Sequence, residues 1–422
     1  MTNYFDLGDY HRNISSDSVE ATSWFNRGLI WCYGFNQEEA IRCFQKACEH
    51  DAECAMGYWG IALAAGPFYN KSWAWYGEQE RLYAIRYCHQ YAQQASALKA
   101  HASPLEQSLI DALCLKHPSV QVDNLEQLHE WNQAYADAMR EVYRQYPEDL
   151  DVICLFGEAL INLTPWHLWD SHSGEVAAGS HTLEAIAVFE SGLEQIASKN
   201  LAPHPGLLHF IIHVYEMSPT PEKALPYANR LRQPLGVCES CCRSSSAGHW
   251  QDAGDANDRA IAADQRYIEL RGTDQFYMIS VVHNYDFKIW TSMFLGQYQQ
   301  ALAAADSICA LTRNRILPRD EWYLTSTLEG YYAGRAHVLV RFGRWQEICD
   351  EDMPDDQILF SISTIYLVYA KAIAHASLGR LEQAREFQHL FGELYTQVPE
   401  WHIMANNPTR DILAVAAAMM NG

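Results

Sequence analysis

Apolar residues recur every three or four positions through most of this chain. Residues 52–65 (AECAMGYWGIALAA), 149–163 (DLDVICLFGEALINL), 275–294 (QFYMISVVHNYDFKIWTSMF) and 358–378 (ILFSISTIYLVYAKAIAHASL) show it most clearly. That spacing marks one face of an α-helix, and strand-like alternation closed by hairpin turns is absent. The pattern predicts an all-α fold. A recurring punctuation separates the helical runs: YGFNQEEA around Gly34, AGHWQDA around Gly248, LGQYQQA around Gly296, FGRWQEI around Gly343 and LGRLEQA around Gly379. At each mark glycine is expected to take the left-handed conformation that ends one helix, while the neighbouring aromatic or Leu wedges against the next, giving antiparallel pairs. From Gly248 onward the marks follow one another at 48, 47 and 36 residues, the scale of helical solenoid repeats. Helix starts are predicted at Ser103, where SPLE combines a cap, Pro and Glu, and at Asp356. Breaks fall at PFYNKSWAWYG, at LKHPSVQVD and in 164–181 (TPWHLWDSHSGEVAAGSH). No linker divides the chain, so 1–422 reads as a single helical-repeat domain.

Composition narrows the partners. With 52 acidic against 30 basic residues the formal net charge is −22, which argues against nucleic acid or an anionic membrane as the partner, since both need concentrated Lys and Arg. The first residues, MTNYFDLGDYHRN, lack the apolar core of a signal peptide, and no run of about 18 apolar residues predicts a membrane span. A cytoplasmic protein is expected. Of the twelve cysteines, Cys32, Cys43, Cys48, Cys54, Cys88, Cys114, Cys154, Cys309 and Cys349 sit singly in helical patterns and read as small packing groups. Cys238, Cys241 and Cys242 are clustered, in GVCESCCRSSSAGHW, closely enough to hold a soft metal or form a redox pair.

The candidate chemistry lies in residues 204–216, HPGLLHFIIHVYE. A helix there stacks His209, His213 and Glu216 about one turn apart on one face. Such a row serves either as metal ligands or as a buried polar network. Imidazole and carboxylate suit Zn, Fe or Mn, and an added thiolate shifts the preference toward Zn or Cu. Glu158, inside the apolar run FGEALINL, either pairs internally, coordinates a cation or faces a groove. Trp166 and Trp169 flank His167 and precede Asp170; they either line a pocket mouth or seal a turn. No Ser-His-Asp order, phosphate-cradling loop or dinucleotide fingerprint is present.

Gly34, Ala40, Phe44 and Ala47, with Gly296, Tyr298 and Ala301 later, resemble tetratricopeptide repeats. The resemblance implies a right-handed superhelix of antiparallel helix pairs. A narrower likeness covers residues 17–300, through GFNQEEAIRCFQKA, CAMGYWGIALAAGPFYN, GEALINLTPWHLWD, HPGLLHFIIHVYE, AIAADQRY and VVHNYDF. Together these resemble a bacterial group of tetratricopeptide proteins with HPG-x2-H-x3-H-x2-E, H-x3-H and HN-x-H elements. Residues 301–422 read as C-terminal helix pairs capping the array. The likeness implies a metal site of His209, His213, Glu216 and His283, with His204 matching the first element and Asn284 the third. This chain departs from the pattern at Cys238 and Cys242, which stand where the second element has histidines, at Asp286, which replaces the last histidine of the third, and at Gln37, where a histidine is expected. Either thiolates and a carboxylate have replaced imidazoles, or the site has decayed, or the sequence is locally disturbed.

Two functions from different classes follow. One is a helical-repeat protein that binds a small molecule beside an interior His/Glu metal site, with Zn, Fe, Mn or Cu unassigned and catalysis by water or oxygen activation left open. The other is a scaffold whose concave groove holds a peptide or protein partner.

Overall fold

A computed structural model describes residues 5–231, 249–316, 321–400, 402–404 and 407–421. The chain is all-helical apart from a two-residue antiparallel ladder, Ile403–Met404 with Asn407–Pro408, the one sheet among the described residues. It gathers into two compact units, 1–248 and 249–422. Among the described residues no helix is long and apolar enough to cross a membrane.

The first unit runs α1 (Val19–Tyr33), α2 (Gln37–His50), α3 (Ala55–Ala65), α4 (Glu78–Leu98), α5 (Pro104–Lys116), α6 (Leu125–Gln145), α7 (Leu150–Ile161), α8 (Thr182–Lys199), α9 (Pro205–Glu216) and α10 (Leu225–Leu231). Each packs on its neighbour in sequence, and α9 also packs on α1 and α7. The second unit holds α11 (Trp250–Arg271), α12 (Met278–Phe294), α13 (Tyr298–Thr312), α14 (Trp322–Tyr332), α15 (Gly334–Arg341), α16 (Trp345–Asp350), α17 (Ser361–Ser377), α18 (Leu381–Gln397) and α19 (Thr409–Asn421). Its apolar centre joins Ile362, Ile365, Tyr366, Phe391 and Leu413.

Close approach between helices depends on glycine opposite phenylalanine. Phe44, fully buried on α2, lies between Gly28 of α1 and Gly60 of α3, and a Cβ at either glycine would sit 2.5 Å from the ring. Gly157 of α7 makes the same room for Phe189 of α8. A buried ring of this size contributes about 1.5–3 kcal/mol, provided nothing holds the helices apart.

Helix ends follow the sequence with two differences. Ser103 starts α5 with a capping box in which its backbone N–H donates to Glu106 Oε2 over 2.8 Å. Asp356 instead closes a turn, accepting from Leu359 N at 2.9 Å, and α17 begins only at Ser361. Gly296, Gly343 and Gly379 take positive φ of 72°, 66° and 75° as expected. Gly34 does not, with φ of −91°. There the left-handed residue is Phe35, at φ 61°, because the chain rotates that ring into the interior rather than leaving it in the turn. Gly248 lies outside the described residues.

Candidate functional site

Every residue of α9 is buried. A helix apolar on all sides belongs in the middle of its unit, and its three polar side chains must find partners there. Its N-cap is His204, whose Nδ1 accepts from Leu207 N at 3.2 Å. That acceptor role leaves the proton on Nε2, which donates to Asp151 Oδ1 at 3.1 Å. Asp151 also accepts from the hydroxyls of Tyr10 and Tyr33 and, on Oδ2, from Arg12 Nη1 at 2.8 Å. Burial by itself raises this carboxyl; the Arg12 guanidinium and the bonds from His204 and Tyr10 outweigh it and hold Asp151 well below the usual carboxylate range. Burial and then the Asp151 charge push both tyrosines well above theirs.

Tyr33 ties this network to the histidine row. Its hydroxyl reaches Asp151, and its main-chain carbonyl accepts from His209 Nδ1 at 2.5 Å. Further along, His213 Nδ1 faces Glu216 Oε1 at 3.1 Å, and the two Nε2 atoms face each other at 3.0 Å. A carbonyl oxygen can only accept, so His209 carries its proton on Nδ1. If His213 likewise gives its Nδ1 proton to an ionised Glu216, two imidazole lone pairs point at each other. Either a proton on the line between them, as when His213 carries its proton on Nε2 and donates to His209, or a metal ion removes that opposition.

Aromatic rings enclose the pair. Phe35 lies 4.6 Å from the His209 ring and 5.2 Å from His213, Tyr69 lies 5.2 Å and Trp166 5.9 Å from His213. Phe35 and Trp166 both have positive φ, 61° and 62°, a conformation that costs a bulky residue free energy and persists only where the surroundings impose it. Trp169 Nε1 donates to Val214 O at 2.7 Å, pinning the 164–181 connection onto α9.

The other expected site residues divide. Glu216 meets Nδ1 of His213, which places it behind that ring rather than beside the facing Nε2 atoms. Asp170 accepts from His172 N, Ser173 N and Ser173 Oγ and closes its own turn at the surface. Gln37 Oε1 accepts from Cys32 Sγ at 3.0 Å. Glu158 is buried; burial raises its carboxyl and the Lys116 charge partly offsets that. His283, Asn284 and Asp286 lie on α12, in the second unit. There Asn284 Nδ2 donates to Asp264 Oδ2 at 2.7 Å, the His283 ring lies 4.4 Å from Phe287, and Asp286 accepts from Trp290 Nε1 at 3.2 Å. Cys238, Cys241 and Cys242 lie outside the described residues. Among the described residues no three His, Cys, Asp or Glu side chains converge on one point. Sequence reading missed Tyr33, Asp151, Arg12, Phe35 and Tyr69. Asp151 alone left a signal, as a lone charge inside the apolar run DLDVICLF.

Set beside known proteins, the chain matches no protein-family model and no curated protein.

Proposed function

We propose that this chain is a helical-repeat ligand-binding protein whose first unit holds a divalent transition metal between His209 Nε2 and His213 Nε2. One observation carries the reading: each ring turns its Nδ1 to an oxygen acceptor, Tyr33 O or Glu216 Oε1, and both Nε2 atoms face one point. Metal-bound histidines are oriented in this way, by a carbonyl or carboxylate behind each ring. Two bonds of about 2.0–2.1 Å span the observed 3.0 Å when they meet at roughly a right angle, and a tetrahedral ion needs the two nitrogens to part by a few tenths of an ångström. Glu216 then orients His213 rather than binding the metal. Among the described residues no further side chain supplies a ligand, and water or a small molecule beside the rings of Phe35, Tyr69 and Trp166 would take the remaining positions. Zn, Fe, Mn and Cu all accept imidazole, and the metal is left unassigned.

Repeated glycine-aromatic turns and sequence-adjacent packed pairs support a tetratricopeptide-like right-handed superhelix as the frame. Buried cysteines outside any disulfide, such as Cys32, Cys54, Cys88 and Cys154, support a reducing, cytoplasmic location.

Elemental analysis of untagged protein tests the metal. The expected content is about one ion per chain, lost in His209→Ala and His213→Ala, with affinity about 10–100-fold weaker in Glu216→Gln. Background metal in native protein, unchanged in the variants, would replace this reading with that of a scaffold holding a peptide or protein partner.

A further inference from the structure

Residues 347–356 (EICDEDMPDD) carry six carboxylates and no basic side chain. Such a block of like charge repels itself and ordinarily stays unstructured in solvent. Here a buried lysine holds its backbone. Lys371 on α17, 5% exposed, donates to three main-chain carbonyls: Ile348 O at 3.1 Å, Cys349 O at 2.8 Å and Glu351 O at 2.6 Å. The first half of the block is thereby fixed, and Met353 packs on the apolar centre of the second unit.

Beside the block the second unit has a cavity of about 770 Å³, walled by α13, α15, α17 and residues 351–356. Small-molecule sites run from about 300 to 1,000 Å³, so the space suits an organic guest. Ala336, Leu339, Ile348, Met353 and Leu367 give it an apolar lining, of which Leu339 and Ile348 are buried. Its charged lining is Asp306, Glu351, Asp352, Asp355 and Asp356 against Arg313 and Arg335, an excess of three negative charges.

Most of these groups are engaged already. Arg335 is held on two sides, by Asp306 through Nη1 and by Glu351 Oε1 through Nε at 3.1 Å and Nη2 at 2.8 Å. Arg313 Nη2 donates to the Tyr332 hydroxyl at 3.3 Å, and Asp356 closes its own turn. Asp352 and Asp355 form no hydrogen bond or ion pair among the described residues.

Charge and lining together define the guest. An anion would add to the excess, and a bare metal ion would leave the apolar lining uncovered. Two available carboxylates beside an apolar wall match a molecule with two cationic ends joined by methylene groups. We propose that this cavity binds an aliphatic diamine, with its ammonium groups on Asp352 and Asp355 and its methylene chain over Leu339, Ile348 and Met353. The site lies wholly in the second unit and uses neither the histidine row nor a metal.

Calorimetric titration of the full chain with 1,4-diaminobutane, 1,5-diaminopentane and 1,6-diaminohexane tests it, with butylamine as the singly charged comparison. At least one diamine is expected to bind about fivefold more tightly than butylamine, the effect of one partly exposed ion pair, and more weakly as salt is raised. Asp352→Asn combined with Asp355→Asn is expected to weaken binding at least about fivefold. Both positions are exposed, so the fold should survive the change. Ala336→Phe fills the cavity, leaves every carboxylate in place and is expected to abolish binding. Glu382→Gln combined with Glu386→Gln removes as much charge from exposed positions of α18 and is expected to bind as native protein does. The site is overturned if no diamine binds, if butylamine binds as tightly as the best diamine, or if the Asp352 and Asp355 variant binds as native protein does. It is equally overturned if the α18 variant loses as much affinity as that one, which would mark a general attraction of amines to an acidic protein.

Discussion

Replacing Asp151 by Ala tests whether the network at the start of α9 holds the histidine row in place. Asp151 accepts from Tyr10, Tyr33, His204 and Arg12, and its side chain is 10% exposed. Arg12, equally enclosed, keeps Asp149 at 3.0 Å after the change, but two phenols and an imidazole N–H lose their acceptor. Removing one partner of such a buried set costs about 3–5 kcal/mol. For a unit of this size that lowers the unfolding temperature by roughly 6–20 °C. The pH dependence has a definite sign. Because the folded carboxyl is held below its unfolded value of about 3.9, its contribution is complete above that value and is lost as pH falls toward the folded one. Denaturant unfolding followed by Trp fluorescence from pH 7 to 3 reads both effects. Native protein should lose stability faster than Asp151→Ala below about pH 4. A variant within about 1 kcal/mol of native at pH 7, a loss typical of ordinary substitutions, would refute the argument, as would parallel pH curves.

Packing and charge elsewhere yield two further expectations. Gly28→Ala and Gly60→Ala each push a methyl to 2.5 Å from the Phe44 ring, so denaturation should show a loss of about 1–3 kcal/mol; at Gly254 the nearest atom to a new Cβ is 3.6 Å away, and Ala there should stabilise by up to about 1 kcal/mol. Asp264, which accepts from Asn284 and Tyr277, is pushed up to about 7 by burial; the second unit should therefore lose stability as pH rises from about 4 to 7, and Asp264→Asn should flatten that slope in part, Asp286 and Glu329 being raised to about 7 in the same way.

What could be read from the chain was whatever depends on residues near one another in sequence. The spacing of apolar positions, the Ser103 capping box and the glycines at 296, 343 and 379 each act within a turn or two of their own backbone. The row of His209, His213 and Glu216 was legible for the same reason, because a helix fixes which side chains share a face. That periodicity said nothing of which way each ring nitrogen points.

Tertiary packing decided the chemistry of the row. The carbonyl of Tyr33, 176 residues before His209, sets the tautomer of that ring, and no sequence pattern announces a main-chain acceptor. Glu216 reads as a ligand from its spacing; its bond to His213 Nδ1 follows from the same three-residue step within α9, but the sequence does not say which ring nitrogen it meets. Phe35 took the left-handed conformation that the turn offered to Gly34, since burying the ring beside two histidines outweighs a local backbone preference. Sequence thus determined the helices and the order of polar groups upon them, because hydrogen bonding and helical geometry are local. The orientation of the histidine rings and the aromatics that enclose them were decided by the folded chain, because desolvation and contact act between residues that only the fold brings together.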